Sequence, residues 1–560
     1  MKRQAGVLVP LFALRGESDF GCGDVAALRR FIDWSAAHCF GLVQLLPVNE
    51  TGGDNSPYNA ISSVAIEPTT IDPYCVSDLQ PEEITTIAEH HNLAQLREGA
   101  VKWAEVKALR HDLLRRAFVN FSAHSWKRND ERAQVFTAFA KAEADWLENY
   151  ALFRVLMARQ GTESWDSWPE EVRDFAAAER WLEALSPDQR SAIDEELRFV
   201  CYIQWQAFEQ WREVKRYAES RGVSLMGDIP FGVNYSSADV WAAPGLFDLK
   251  WSGGAPPEPA FMGDEFVRRW GQNWGVPLYS WPAHRADGFA WWRQRVRKVS
   301  EAFQLFRIDH VLGFYRIYGF PWRPQRNAEF APLSDDEARA RTGGKLPHFH
   351  EHADDTAEHR ASNRAQGEEF LRALQTEGSL VGEDLGTVPE YVRPSLLSLD
   401  IPGFKVPQWE KDSDGRYTDG SQYPRCSIAT YATHDHDPLR VMWERWMSTI
   451  QSALDSLALA AENERAWSEV RALSGWAGFE VPCITPFAEV HERLLAGLFR
   501  SNSDVAIAMI TDVLGTTDRF NVPGSVTTGN WSARLTSDWE TAFAAKTKRV
   551  AETIRAAGRG

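Results

Sequence analysis

Leu305-Phe306-Arg307-Ile308-Asp309-His310 is the stretch that decides how the rest of the chain folds. The run from Phe303 to Ile308 is largely apolar and leads into an acid flanked by Arg307 and His310. Branched and aromatic residues inside, then a charge where the chain emerges, mark a buried parallel strand that stops at a site. Arg307 and Asp309 are two residues apart, so on a strand both side chains point to one face. A guanidinium beside a carboxylate favours the ionised form, which is the form that attacks a sugar carbon. Taken alone, the hexapeptide fits a structural ion pair equally well.

Seven further stretches share the strand pattern. Residues 6–12 (GVLVPLF) and 41–47 (GLVQLLP) flank an amphipathic helical stretch at 24–37, which makes a strand–helix–strand unit. Residues 222–229 (GVSLMGDI), 379–383 (SLVGE), 403–407 (GFKVP) and 427–433 (SIATYAT) follow, and 504–514 (DVAIAMITDVL) carries an eighth strand less distinctly. Helical stretches such as 197–220 and 288–302 separate them. This alternation predicts an α/β fold, a (β/α)8 TIM barrel, with 1–560 as a single catalytic domain. Residues 49–196 break the pattern with amphipathic, charged sequence and are expected to form an inserted helical subdomain after strand 2. Residues 250–287 read as a long loop, and 323–378 as a polar insertion between strands 4 and 5. A helix at 539–557 follows the last motif closely, so no C-terminal β-sandwich domain is expected.

Four of these strands end in an acid: Asp228, Asp309, Glu383 and Asp435. The C-terminal strand ends of such a barrel converge on one site, and gathered carboxylates repel unless a cation or chemistry requires them. Two carboxyl groups about 5–5.5 Å apart perform retaining chemistry on a glycosidic bond. Asp309, with Arg307 as companion, suits the nucleophile. Glu383, with Asp384 beside it and an apolar strand behind it, suits an acid/base of raised pKa. Asp435 and His434 suit the holding of sugar hydroxyls.

The bulk numbers are those of an ordinary soluble globular protein: 560 residues, 44% hydrophobic and 25% charged. A formal charge of -17 argues against nucleic acid and anionic membrane as partners. No apolar run approaches the length of a bilayer, and the N-terminal residues lack the apolar core of a signal peptide. Six cysteines (Cys22, Cys39, Cys75, Cys201, Cys426, Cys483) form no CxxC pair and read as free thiols of a cytoplasmic protein. The 24 tryptophans lean slightly towards carbohydrate, because flat aromatic faces stack on sugar rings. His348, His350, His352 and His359 read as solvated surface rather than metal ligands, and His434 to Asp437 as a strand-end site rather than a metal set.

The motifs, in order, resemble those of the 4-alpha-glucanotransferases (amylomaltases, disproportionating enzymes) of glycoside hydrolase family 77. They are SPYNAISSVAIEP at 56–68, GDIPFGVNYSSADVWAAPGLF at 227–247, GAPPEPAF at 254–261 and WGQNWGVPLYSW at 270–281. RIDH at 307–310, GEDLG at 382–386, THD at 433–435, and NVPG with GNW at 521–531 complete the series. The resemblance implies that Asp309 is a nucleophile forming a covalent glucosyl-enzyme and that Glu383 is the acid/base. It implies that Asp435 stabilises the transition state through the 2- and 3-hydroxyls of the donor sugar. Arg307, His310, His434 and Asp228 would line the donor subsite. Ser56, Tyr58, Gln272 and Trp274 would contact neighbouring glucose units, with Asn521 nearby. The substrates it implies are α-1,4-glucans, with transfer rather than hydrolysis and with no metal or organic cofactor.

Of the aromatic residues Phe261, Trp270, Trp274, Tyr279 and Trp281, about half are expected to pack the 250–287 stretch and the rest to stack acceptor sugars. Two departures bear on specificity. His436 and Pro438 stand where the family usually has asparagine and threonine, and the segment 258–269 carries extra residues including Asp264, Glu265 and Arg268. The competing expectations are a hydrolase of the α-amylase group and a catalytically dead glucan-binding protein. The missing β-sandwich disfavours the first, and the presence of all three acids disfavours the second.

Overall fold

The computed structural model describes residues 2–258, 264–454, 460–523 and 529–560. Its strands, in chain order, are β1 (Gln4–Leu8), β2 (Phe40–Gln44), β3 (Ser224–Ile229), β4 (Phe247–Ala255), β5 (Gln272–Tyr279) and β6 (Leu305–Ile308). They continue with β7 (Ile317–Phe320), β8 (His348–His350), β9 (Leu380–Gly382), β10 (Gly403–Lys405), β11 (Ser427–Thr430) and β12 (Val505–Met509). Eight of them form one parallel sheet in the order β10-β11-β12-β1-β2-β3-β6-β9. The Gly382 N–H donates to the Pro402 carbonyl at 2.9 Å, which brings the open ends together and closes a barrel. β6, β11 and β12 are buried along their whole length. A strand covered on both faces has to be apolar throughout, and that is why all eight expected strands were visible as continuous runs.

The helices wrap the barrel with capped, amphipathic segments. Asp24 caps Val25–Ala37 by accepting the Ala26 and Ala27 N–H groups, each at 3.1 Å. The 34-residue helix Pro187–Ser220 opens with proline in its first turn and a Ser186–Gln189 capping box. It buries Tyr202, Trp205, Phe208 and Trp211 in the main core. Two of its glutamines hold the loop that carries Tyr58. Gln204 pairs with both backbone groups of Ile66 at 2.9 Å, and Gln210 with those of Asp72 at 2.8 and 3.0 Å. Between β2 and β3 the chain is mainly helical, including Pro81–His90, Trp103–His124, Glu131–Ala142 and Ala144–Gln160. No described helix is long and apolar enough to cross a membrane.

Several expectations need correction. β1 starts at Gln4 and stops at Leu8, because Pro10 leads into a 3-10 turn at Leu11–Ala13. The eighth strand ends at Met509 and passes directly into a short helix, Ile510–Leu514. The C-terminal helix is two helices, Trp539–Ala542 and Ala544–Ala556, parted at Phe543.

The larger difference is a second sheet, antiparallel, in the order β5-β4-β7-β8. The stretch 250–287, expected as a loop, supplies most of β4 and all of β5, and the polar insertion 323–378 supplies β8. His348 and His350 are not simply solvated: their rings lie 4.8 and 4.4 Å from Trp251. Glycine permits the tight pairing, since a Cβ on Gly254 would sit 1.9 Å from the Gln272 carbonyl oxygen. Trp270, Phe320, Trp322 and Phe330 form a small core of their own beside this sheet. Trp270, Tyr279 and Trp281 are therefore packing residues, Trp274 remains 40% exposed, and Phe261 lies outside the described residues.

Candidate active site

β3, β6 and β9 lie side by side, in a register that sets Asp228 opposite Arg307 and Ile308 opposite Gly382. The ladder runs one step past the strand ends, through Asp309 N–H to the Ile229 carbonyl (2.9 Å) and Glu383 N–H to the Ile308 carbonyl (3.0 Å). Both acids therefore leave the barrel at the same C-terminal rim, where the sites of such barrels are built.

Arg307 is the centre of the arrangement. It is 4% exposed, and its Nη1 donates to Asp228 Oδ2 and its Nη2 to Asp309 Oδ1, each at 2.6 Å. These are short, charge-assisted bonds. Burial opposes the guanidinium charge, but Asp228 and Asp309 more than offset it and raise Arg307 well above the ordinary arginine range. The Tyr58 hydroxyl also donates to Asp228 Oδ2, at 2.7 Å. Burial pushes the Asp228 carboxyl up to about 7 against the pull of Arg307. Arg307 and Tyr58 thus place two donors on one Asp228 oxygen.

Glu383 is 8% exposed and accepts the His310 N–H on Oε2 at 2.8 Å and the Leu385 N–H on Oε1 at 2.9 Å. Burial first, and then the Asp309 charge, push its carboxyl up to about 8, with Arg307 and the His310 N–H opposing. His310 adopts φ +49°, the left-handed region that side-chain-bearing residues avoid. That turn after Asp309 aims its N–H at Glu383, which is strain held at a functional position. Burial lowers the His310 imidazole to about 4, so the ring is neutral at pH 7, and it stands edge-on to Trp274 at 4.8 Å.

Asp435 comes from the loop after β11. Asn521 Nδ2 donates to its Oδ1 at 2.6 Å, and Arg519 Nη2 donates to its backbone carbonyl at 2.6 Å. Burial raises its carboxyl, but His434 and the Asn521 amide more than offset this and hold it below the usual carboxylate range. Arg519 also reaches Asp437 Oδ1 (2.6 Å) and the Asn521 carbonyl (2.7 Å), so one side chain ties both loops together.

A cleft of about 570 Å³ runs over these groups, lined by Asp309, Glu383, Asp435, Arg307, His310, Gln272 and Trp274. Tyr58, Asp228 and His434 form the layer next to them, with the Tyr58 ring stacked on His434 at 5.0 Å and 14°. Asn521 stands beside Asp435. Ser56 does not line the cleft: its hydroxyl accepts the Tyr58 N–H at 3.3 Å and shapes the turn. Sequence reasoning missed Arg519, Trp409, Tyr318 and Phe349, all of which line the cleft. Arg519 lies two residues before Asn521, the one signal that pointed to it. Among the described residues no three His, Cys, Asp or Glu side chains converge as a metal set.

A (β/α)8 barrel with three carboxyl groups at its C-terminal rim, one clamped by a buried arginine and one pushed up to about 8 by burial, defines an enzyme that works on glycosidic bonds. The profile of glycoside hydrolase family 77, described as 4-alpha-glucanotransferase, matches residues 9–539, and the chain belongs to that family. It is 31% identical over 504 residues to the 4-alpha-glucanotransferase of Thermus thermophilus, covering 88% of this chain and 87% of the relative. It is 29% identical over 552 residues to that of a Synechocystis species, covering 96% and 94%. The fold matches the amylomaltase of Streptococcus agalactiae, solved in complex with acarbose, at TM-score 0.76, 23% identity and full coverage of both chains. It matches the amylomaltase of Corynebacterium glutamicum at TM-score 0.73 and 20% identity, over 99% of this chain and 75% of that one.

Proposed function

We propose that Asp309, Glu383 and Asp435 carry out 4-alpha-glucan transfer by a retaining double displacement. A segment of an α-1,4-glucan, or glucose from maltose, passes to the 4-hydroxyl of an acceptor glucan or glucose. Asp309 attacks the anomeric carbon while Glu383 protonates the departing glycosidic oxygen, leaving a glucosyl ester on Asp309. The acceptor hydroxyl then gives its proton to Glu383 and displaces the ester. Asp435 accepts hydrogen bonds from the donor sugar, and Asn521 and Arg519 keep it in place.

The observation that carries this reading is the contrast between the two acids. Asp309 is gripped by Arg307 at 2.6 Å, whereas Glu383 is pushed up to about 8 and so holds a proton at pH 7. Part of that elevation comes from the Asp309 charge. Ester formation removes this charge, so Glu383 becomes a stronger acid at the moment it must turn into a base. Trp274 and Trp409, 40% and 47% exposed at the cleft, offer faces to glucose rings and shield the ester from water. Six free cysteines support a cytoplasmic setting.

Incubation with maltotriose tests the reading. Longer glucans together with free glucose support transfer, and rising reducing ends without longer products point to hydrolysis. Asp309→Asn is expected to lose the ladder by roughly a thousandfold or more while still binding glucans. Full activity in that variant removes Asp309 from the role of nucleophile.

A further inference from the structure

A second chamber of about 280 Å³ opens beside the catalytic cleft, and Trp409 and His436 line both. It lies between the chain after β10 and the helix Leu439–Leu454, which contributes Met442, Arg445 and Trp446. Gln408 and, from the helix Ala460–Trp476, Glu469 complete its walls. None of these residues has a part in the bond exchange at Asp309 and Glu383.

The lining selects a class of ligand. Trp409 and the partly buried Trp446 provide flat aromatic faces. The Gln408 side-chain oxygen is buried and has no hydrogen-bond partner, a state that calls for a donor. Glu469 takes the Tyr417 hydroxyl on Oε2 at 2.6 Å, which leaves its other oxygen for a second donor. The cation in the wall is already neutralised, since Arg445 Nη1 binds Asp437 Oδ2 at 2.5 Å. Asp437 is in turn saturated by Arg519 at 2.6 Å. Aromatic faces beside uncommitted acceptors, with the wall's arginine already engaged and the Glu469 carboxylate in the same wall, fit a neutral polyhydroxylated ring better than a phosphorylated sugar. Trp409 and His436, whose rings lie 4.9 Å apart, form the wall shared by the chamber and the main cleft, so the chain in the main cleft is the nearest source of that ring. His436 is anchored at this threshold by the Thr433 hydroxyl, 2.9 Å from its Nδ1.

We propose that the chamber behind Trp409 and His436 is an additional glucose-binding subsite for long α-1,4-glucans, a placement that rests on the glucan-transfer reading of the main cleft. A short glucan fills the cleft alone. A longer one extends past Trp409 and stacks on Trp446, with hydroxyls donated to Gln408 and Glu469.

Trp446→Ala is compared with wild type on maltotriose and on maltoheptaose. The expected result is a kcat/KM within about twofold of wild type for maltotriose and about tenfold lower for maltoheptaose, through KM. Trp446→Phe is expected to recover most of the loss. Gln408→Leu repeats the test without touching the indole, so a folding defect in the first variant does not decide the matter. Equal losses on both sugars, or no change on either, overturn the subsite while wild-type transfer leaves the main cleft's function standing. A wild-type enzyme that builds no longer glucans from either sugar overturns the transferase reading and the subsite with it.

Discussion

Glu383→Gln is expected to destabilise the protein in mild acid and stabilise it in alkali. The ordinary glutamate value is 4.5, and the folded protein holds Glu383 at about 8. Below 4.5 the carboxyl is protonated in both folded and unfolded chains and costs nothing. As the pH rises the unfolded chain ionises first, so native stability falls, until the native carboxyl ionises near 8 and the decline stops. The interval from 4.5 to about 8, at about 1.4 kcal/mol per pH unit, amounts to about 5 kcal/mol. Glutamine cannot ionise and escapes this loss. It cannot accept both backbone donors either, because Glu383 takes the His310 and Leu385 N–H groups on different oxygens, at 2.8 and 2.9 Å. Setting an amide NH2 against one of them costs about 1–3 kcal/mol. The balance is a variant about 1 kcal/mol less stable than wild type at pH 5 and about 2–4 kcal/mol more stable at pH 9. Denaturant unfolding at pH 5, 7 and 9 reads this directly, and transfer activity is absent throughout. A stability difference that stays constant with pH, or that worsens in alkali, would show that Glu383 ionises at an ordinary pH and would refute the general-acid argument.

Two further outcomes follow from the same groups. For wild type, kcat/KM on maltotriose should fall above a pH of about 8 as Glu383 loses its proton, and Asp384→Asn should move that limb to lower pH. Asp384, itself raised only to about 6 by burial, is charged there and helps to hold Glu383 up, while asparagine still accepts the Phe404 N–H that Asp384 takes at 2.6 Å. An unmoved limb would assign the titration to another group. Arg307→Met strands two carboxylates that each sit 2.6 Å from the guanidinium. The expected cost is about 3–5 kcal/mol in urea unfolding, with transfer lowered by on the order of a hundredfold or more. Near-wild-type values in both measurements would contradict the clamp.

The barrel was readable in the chain because its strands are covered on both faces, and such strands must be apolar without interruption. Asp309 and Glu383 were readable for a related reason: a charge that ends an apolar run has to be at the rim. The small sheet was not readable. β4 carries Gly253 and Gly254, β8 has three residues reading His-Phe-His, and such segments resemble loops until distant partners pair with them. Arg519 and Trp409 are single residues in irregular segments, with no periodicity to announce them. Ser56 entered through a motif, and the structure adds that its hydroxyl accepts the Tyr58 N–H.

By itself, then, the order of residues determined the barrel, the rim on which its acids lie and the three carboxylates proposed to work there. These are local properties, written in the polarity of successive residues along each strand. Only the tertiary structure decided that Arg307 bridges Asp228 and Asp309, that burial pushes the Glu383 carboxyl up to about 8, and that a side chamber lies behind Trp409. A carboxyl's proton affinity is set by the water it loses and the charges around it. At Glu383 those neighbours come from β6, from the turn at His310 and from Asp309, which only the closed barrel brings together.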